Sequence, residues 1–155
     1  MYKNIWEKNY MSKWEFDIVI VSGGFDPMHV GHVRMIKKAA QRGHQVIVGL
    51  NSDDWLRRKK DYVFMPWEER AEILSAMRGV LEVMPFDDSD NSACNLLAKV
   101  IKKYPSDSVA FANGGDRTST NIPELEFAKK HGIGLIWEVG GGKIQSSSDL
   151  VNNII

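Results

Sequence analysis

The 155-residue chain has little of several things, and each shortage excludes a class of protein. It carries one cysteine, Cys94, so no disulfide can form within it and a reducing compartment suits it. It carries no excess charge, with Lys+Arg and Asp+Glu both at 20. No net field therefore draws it to nucleic acid or to an anionic membrane. Its apolar runs fall far short of the about 20 residues that span a bilayer, and no signal-peptide pattern is found, so a cytoplasmic location is expected. There is no internal repeat and no low-complexity segment. A Gly-x-Gly-x-x-Gly run is missing after the first apolar segment, which argues against dinucleotide-dependent redox chemistry. What is left, at 43% hydrophobic and 26% charged residues, is one ordinary globular domain.

Residues 1–15 stand apart as an N-terminal aromatic arm or tail, ahead of a domain over residues 16–155. Tyr2, Trp6, Tyr10 and Trp14 recur at every fourth position, one stripe of a helix. Two readings stay open: a loosely attached tail with Met11 as the natural start, or an arm that packs on a partner subunit, where large aromatics are favoured.

From Phe16 onward strand, turn and helix alternate. Asp17–Ser22 is a short β-branched run of the kind buried on both faces of a sheet. Val30–Arg42 has helical apolar spacing and stops at Gly43. Further strands are expected over 45–50, 80–84, 108–112 and 135–139, and further helices over 53–58, 66–77, 92–104, 123–131 and from about 147. Residues after 58 read as a basic loop. This alternation implies right-handed βαβ crossovers, hence an α/β, Rossmann-like, doubly wound parallel sheet of five strands with helices on both faces. Ligands of such sheets sit beyond the carboxyl ends of the strands, where the winding reverses. The polar clusters Ser22–His32, Asn51–Lys60, Asn113–Arg117 and Gly140–Ser148 all follow strands, so the fold brings them to one edge.

The cluster Ser22-Gly-Gly-Phe-Asp-Pro-Met-His-Val-Gly-His32 carries the chemistry. Gly23 and Gly24 let backbone approach a ligand. The helix after them offers free N–H groups and a partial positive charge to an anion. His29 and His32 lie three apart, on one face of its first turn. Gly31 between them admits something bulky. Two imidazoles at a helix N-terminus suit a polyphosphate, whose transfer needs positioning and charge neutralisation more than covalent work by the protein. Read as zinc ligands, the histidines lack a third partner. Arg57-Arg-Lys-Lys60 alone would be a solvated charge run; its place after a strand favours a triphosphate contact.

The pattern Gly-x-Phe-Asp-x-x-His-x-Gly-His closely resembles the signature of the cytidylyltransferase-like nucleotidyltransferases. Asn51-Ser-Asp53, the basic run, Glu69-Arg70 with Ile73-Leu74, Gly114-Gly-Asp116 and Ser146-Ser-Ser148 follow in the family's order. The chain resembles glycerol-3-phosphate cytidylyltransferases and heptose-phosphate adenylyltransferases. The resemblance implies the HIGH-type nucleotidyltransferase fold, with CMP or AMP passing from CTP or ATP to a sugar or polyol phosphate. A non-catalytic nucleotide sensor on the same fold is the alternative.

By the same resemblance, His29 and His32 act at the α-phosphate, and Lys59 is the catalytic lysine with Lys60 beside it. Arg70 lies near the phosphates. Ser22, Gly23, Gly24, Phe25, Lys60, Asp116, Ser146, Ser147 and Ser148 hold the nucleotide. Asp26 faces the acceptor or a magnesium ion bridging phosphate oxygens; no protein-only metal site is expected. Relatives of this type are commonly dimers, so a homodimer is expected. One departure is plain: Gly140-Gly-Gly-Lys-Ile-Gln145 lacks the arginine that cytidylyltransferases carry before their hydroxyl cluster, which loosens the assignment of CTP.

Overall fold

The computed structural model describes residues 14–113, 123–137 and 147–152. Five strands, β1 (Phe16–Gly23), β2 (Gly43–Leu50), β3 (Val80–Pro85), β4 (Val109–Ala112) and β5 (Gly134–Ile136), form one parallel sheet in the order β3-β2-β1-β4-β5. The chain winds outward from β1 to β3, then returns to lay β4 on the other side of β1. The crevice between β1 and β4 is therefore the switch point, and the doubly wound sheet is as the alternation implied.

Six helices are found among the described residues, five of them between strands: α1 (Val30–Arg42), α2 (Asp53–Lys60), α3 (Trp67–Ser75), α4 (Cys94–Lys103), α5 (Pro123–His131) and, after β5, α6 (Ser147–Asn152). Residue parity sorts the strands onto two cores. Ile18, Ile20, Ile47, Val109 and Phe111 pack with Leu96, Leu97 and Val100 of α4 and Ala128 of α5. Val19, Val21, Val46, Val48, Ala110 and Ala112 pack with Ile36 and Ala39 of α1 and Leu74 of α3. Apolar runs buried on both faces are what a parallel sheet demands.

Gly43 ends α1, as the sequence implied, with φ −125°, and β2 begins on that same residue. Its lack of a side chain serves packing, since a Cβ there would lie 2.5 Å from Val19 Cγ2. The basic residues after Arg58 are no loop, because Arg57–Lys60 form the last turn of α2. There they complement the carbonyl end of the helix dipole, while Asp53 and Asp54 complement the other end. Asp61, at φ 67°, then closes the helix. Pro66 is the residue capping α3 rather than its first helical position.

Of the N-terminal arm, only its last two residues are described. Trp14 meets the His44 ring edge-on at 4.6 Å, and Glu15 pairs with Arg42 through Nε at 3.0 Å. Tyr2, Trp6 and Tyr10 lie outside the described residues, as do Asp116, Ser146 and the Gly140–Gln145 run.

Gly49, in the middle of the sheet, leaves the room that Leu96 fills; a Cβ would stand 2.1 Å from Leu96 Cδ2. Gly49→Ala should therefore cost about 1–3 kcal/mol of stability by overpacking, read as a lower urea midpoint with the slope unchanged.

Candidate functional site

The signature turn links β1 to α1, and its residues mostly hold one another. His29 is the N-cap of α1. Its Nδ1 accepts the Gly31 N–H at 3.1 Å, while its own N–H donates to His32 Nδ1 at 3.1 Å. The two rings stack with centroids 3.8 Å apart. Histidine is not among the favoured caps, yet this pair satisfies the orphan donors reciprocally, as a capping box does. Gly31 has its reason here too: a Cβ would lie 2.9 Å from His29 Cε1, so the bulky neighbour it admits is the capping imidazole itself.

The hydrogen bonds fix the tautomers. With both Nδ1 atoms accepting, the proton of each neutral ring sits on Nε2. Burial lowers the pKa of His29. That of His32 falls to about 3, through burial first and then the nearby His29 and Lys60. At neutral pH both rings are therefore uncharged N–H donors.

Phe25 backs this pair. It is buried, its ring lies 4.7 Å from that of His32, and it holds φ 49°, a left-handed conformation costly for a side chain of this kind. Its ring packs on His32 and the second core. Gly24 also serves packing, since a Cβ would stand 2.8 Å from Leu56 Cδ2 and 3.3 Å from Trp55 Cζ3 of α2. Gly23 ends β1 with its carbonyl accepting the Asn51 N–H at 2.9 Å. Ser22 ends the same strand, half-buried.

Asp26 and Arg70 depart most from expectation. Asp26 is fully buried, and its carboxylate accepts the N–H groups of Phe64 at 2.7 Å and Met65 at 2.6 Å. Those bonds tie it to the segment between α2 and α3. Arg70 is also buried, at 1% exposure. Its guanidinium donates to the carbonyls of Met65 (2.9 Å), Gly24 (2.8 Å) and Asn51 (2.9 Å), and pairs with Asp53 at 2.6 Å. Four of five N–H donors are thus taken by protein, so Arg70 ties these segments together.

The two lysines also separate. Lys60 Nζ donates to the carbonyl of Asp26 at 2.8 Å and lies 5.4 Å from the Tyr62 ring centre, close enough to His32 to help lower its pKa. Burial lowers its own pKa; Asp26 opposes that, while Arg70 and Lys59 add to it. Lys59 is exposed, with its ammonium over the Trp55 ring at 4.6 Å. The geometry brings Lys60, not Lys59, to the histidines. From the other end of the chain Ser147 reaches the turn, its hydroxyl donating to the Pro27 carbonyl at 2.6 Å. The backbone of Ser148 is in α6, and its side chain lies outside the described set.

Among the described residues no three of His, Cys, Asp and Glu gather, and the Asp26 carboxylate accepts from backbone. Sequence reasoning missed three residues: Asp53 as partner of Arg70, Asp88 with its buried carboxylate, and Tyr62, whose buried hydroxyl has no partner. Asp53 stood inside a quoted motif. Asp88 is one of several acids in an acidic run and carried no distinguishing signal.

The site so built belongs to a known class: the chain is a member of the cytidylyltransferase-like family, whose profile matches residues 20–141. It is 32% identical over 117 residues to the bifunctional protein HldE of Coxiella burnetii, covering 74% of this chain and 23% of that protein. To HldE of Geobacter sulfurreducens it is 31% identical over 142 residues, covering 89% and 27%. The chain thus spans about a quarter of the length of these curated relatives. In fold it matches the crystal structure of a bifunctional NMN adenylyltransferase/ADP ribose pyrophosphatase from Francisella tularensis, with TM-score 0.67 at 17% identity over 89% of this chain and 42% of that one. The same enzyme complexed with AMP and a Mn ion matches with TM-score 0.61 at 17% identity over 89% and 41%. No helix among the described residues is long and apolar enough to cross a membrane.

His32→Asn keeps an acceptor near the place of Nδ1 and removes the Nε2–H donor. It should lower turnover about 10²–10³-fold, the cost of one transition-state donor. The folded imidazole protonates only near pH 3, against 6.5 ordinarily. The unfolded state binds the extra proton in that window, so stability is full above it and lost as pH falls through it. The variant's denaturation free energy should be flatter than the wild type's between those pH values.

Proposed function

We propose that this chain is a nucleotidyltransferase that passes CMP or AMP from CTP or ATP to a phosphorylated small molecule, a sugar or polyol phosphate, and releases pyrophosphate. The observation that carries this reading is the pair of neutral, mutually capping imidazoles at the N-terminus of α1, with an ammonium beside them. An oxygen of the acceptor phosphate forms a bond to the α-phosphorus, and the bond from that phosphorus to the bridging oxygen of pyrophosphate breaks. The two Nε2–H groups donate to oxygens of the α-phosphate as charge moves through it, each such bond contributing about 1.5–3 kcal/mol. Lys60 offsets the charge growing on the leaving pyrophosphate. No proton is transferred, because the attacking phosphate oxygen is already ionised and neither imidazole has a free basic nitrogen.

In the same reading Ser22, Gly23, Gly24, Asp116, Ser146, Ser147 and Ser148 contact the nucleotide, and Arg70 and Asp26 hold the frame around it. A divalent cation, magnesium in our reading, arrives on the triphosphate. The enzyme works in the cytoplasm, and two copies associate.

A matrix of CTP, ATP, GTP and UTP against sugar, polyol and amino-alcohol phosphates, followed by pyrophosphate release, tests the reaction. Binding of a triphosphate with no pyrophosphate from any acceptor would leave a sensor instead. With the active pair in hand, Lys60→Ala should cut kcat/KM for the triphosphate by more than tenfold and Lys59→Ala by much less; the opposite order overturns the assignment of the lysines.

Light scattering should report a dimer for the full chain, and a variant starting at Met11 separates an arm that assembles from one that does not. A monomer in both excludes the dimer.

A further inference from the structure

We propose that Asp88 and Arg58 are positioning residues that set where Lys60 sits; this rests on the reading in which Lys60 faces the triphosphate. Asp88 follows β3 and is buried. Its carboxylate accepts the Ser52 N–H at 2.7 Å, the Ser52 hydroxyl at 2.8 Å and the Asn51 amide at 3.1 Å. Ser52 is the N-cap of α2, and its oxygen in turn accepts the Trp55 N–H at 3.0 Å. Asp88 therefore orients the hydroxyl that starts the helix. At the other end, Arg58 donates from Nη2 to the carbonyl of the same Asp88 at 2.8 Å and to Asn91 Oδ1 at 3.3 Å, while its charge lies 3.9 Å from Asp88 Oδ1.

One residue thus holds both ends of an eight-residue helix. A helix so short has almost no stability of its own in water, so its place is whatever its anchors dictate. The anchoring segment is itself stiff. Asp87 accepts from the N–H and hydroxyl of Ser89, and Asp90 does the same for Ser92. Lys60 is the last residue of α2, and its bond to the Asp26 carbonyl exists only while α2 stays where these anchors put it.

Arg58 is 44% exposed, so Arg58→Ala should fold, which its thermal melt checks. A double-mutant cycle of Arg58→Ala and Lys60→Ala separates action through Lys60 from independent action. Arg58→Ala alone should lower kcat/KM for the triphosphate about 10–10²-fold, the effect of displacing a catalytic group by an ångström or less. The double variant should be within about twofold of Lys60→Ala alone. Multiplying effects, or wild-type kinetics for Arg58→Ala where Lys60→Ala is impaired, would overturn the proposal.

A second readout does not depend on activity. Arg58→Ala should move the Lys60 ammonium titration, followed by NMR, upward toward its ordinary value as the amine leaves its half-buried seat. Arg57→Ala removes the same charge from the neighbouring position, where Arg57 pairs with Asp54, and should leave that titration unmoved. An unmoved Lys60 in Arg58→Ala, or an equal movement in Arg57→Ala, also overturns it. If Lys60→Ala keeps wild-type kinetics while Arg58→Ala moves the titration, the functional reading fails and the positioning stands.

Discussion

One buried guanidinium gathers the segments on which everything else at the sheet edge depends. Arg70 reaches out of α3 to the turn after β1, the turn after β2, the first residue of α2 and the segment that Asp26 also holds. None of these segments has a regular ladder of its own at that point, so their carbonyls need donors from elsewhere. A planar group with five donors in a fixed fork can satisfy several at once, which a lysine could not. Removing one partner of a buried pair costs roughly 3–5 kcal/mol, so this position is demanding of its side chain. The family pattern places an arginine here near the phosphates; in this chain four of its five donors are committed to protein.

The fold was readable because it rests on signals that a sequence displays directly. β-branched runs bounded by polar turns, helical apolar spacing and strict alternation suffice for a parallel sheet. Where boundaries moved, a tertiary contact was the cause. At Gly43 Val19 leaves no room for a side chain, and α2 runs on through Arg57–Lys60 until Asp61 closes it.

The site was readable in outline, but the contacts of its individual members were not. Signature residues named a neighbourhood, but a motif does not say which of its members face inward. Phe25, Asp26 and Arg70 all turned to the protein, and their hydrogen bonds and ring contacts come from residues far along the chain. The choice between Lys59 and Lys60 depends on one step of helical rotation, about 100° per residue, which no pattern of charge alone resolves. Asp88 was invisible for a similar reason, since its value lies in where β3 ends relative to α2.

The histidine cap also has a chemical consequence for direction. Because each ring spends one nitrogen on the backbone and keeps its proton on the other, the site holds the same arrangement of donors before and after a nucleotidyl group has moved. Like any catalyst, such a site leaves the equilibrium where the reactants and products set it. A transfer run by it would also proceed backward as pyrophosphate accumulates. Removal of pyrophosphate by a separate hydrolysis would then draw the transfer toward synthesis, leaving the protein itself as a catalyst of exchange.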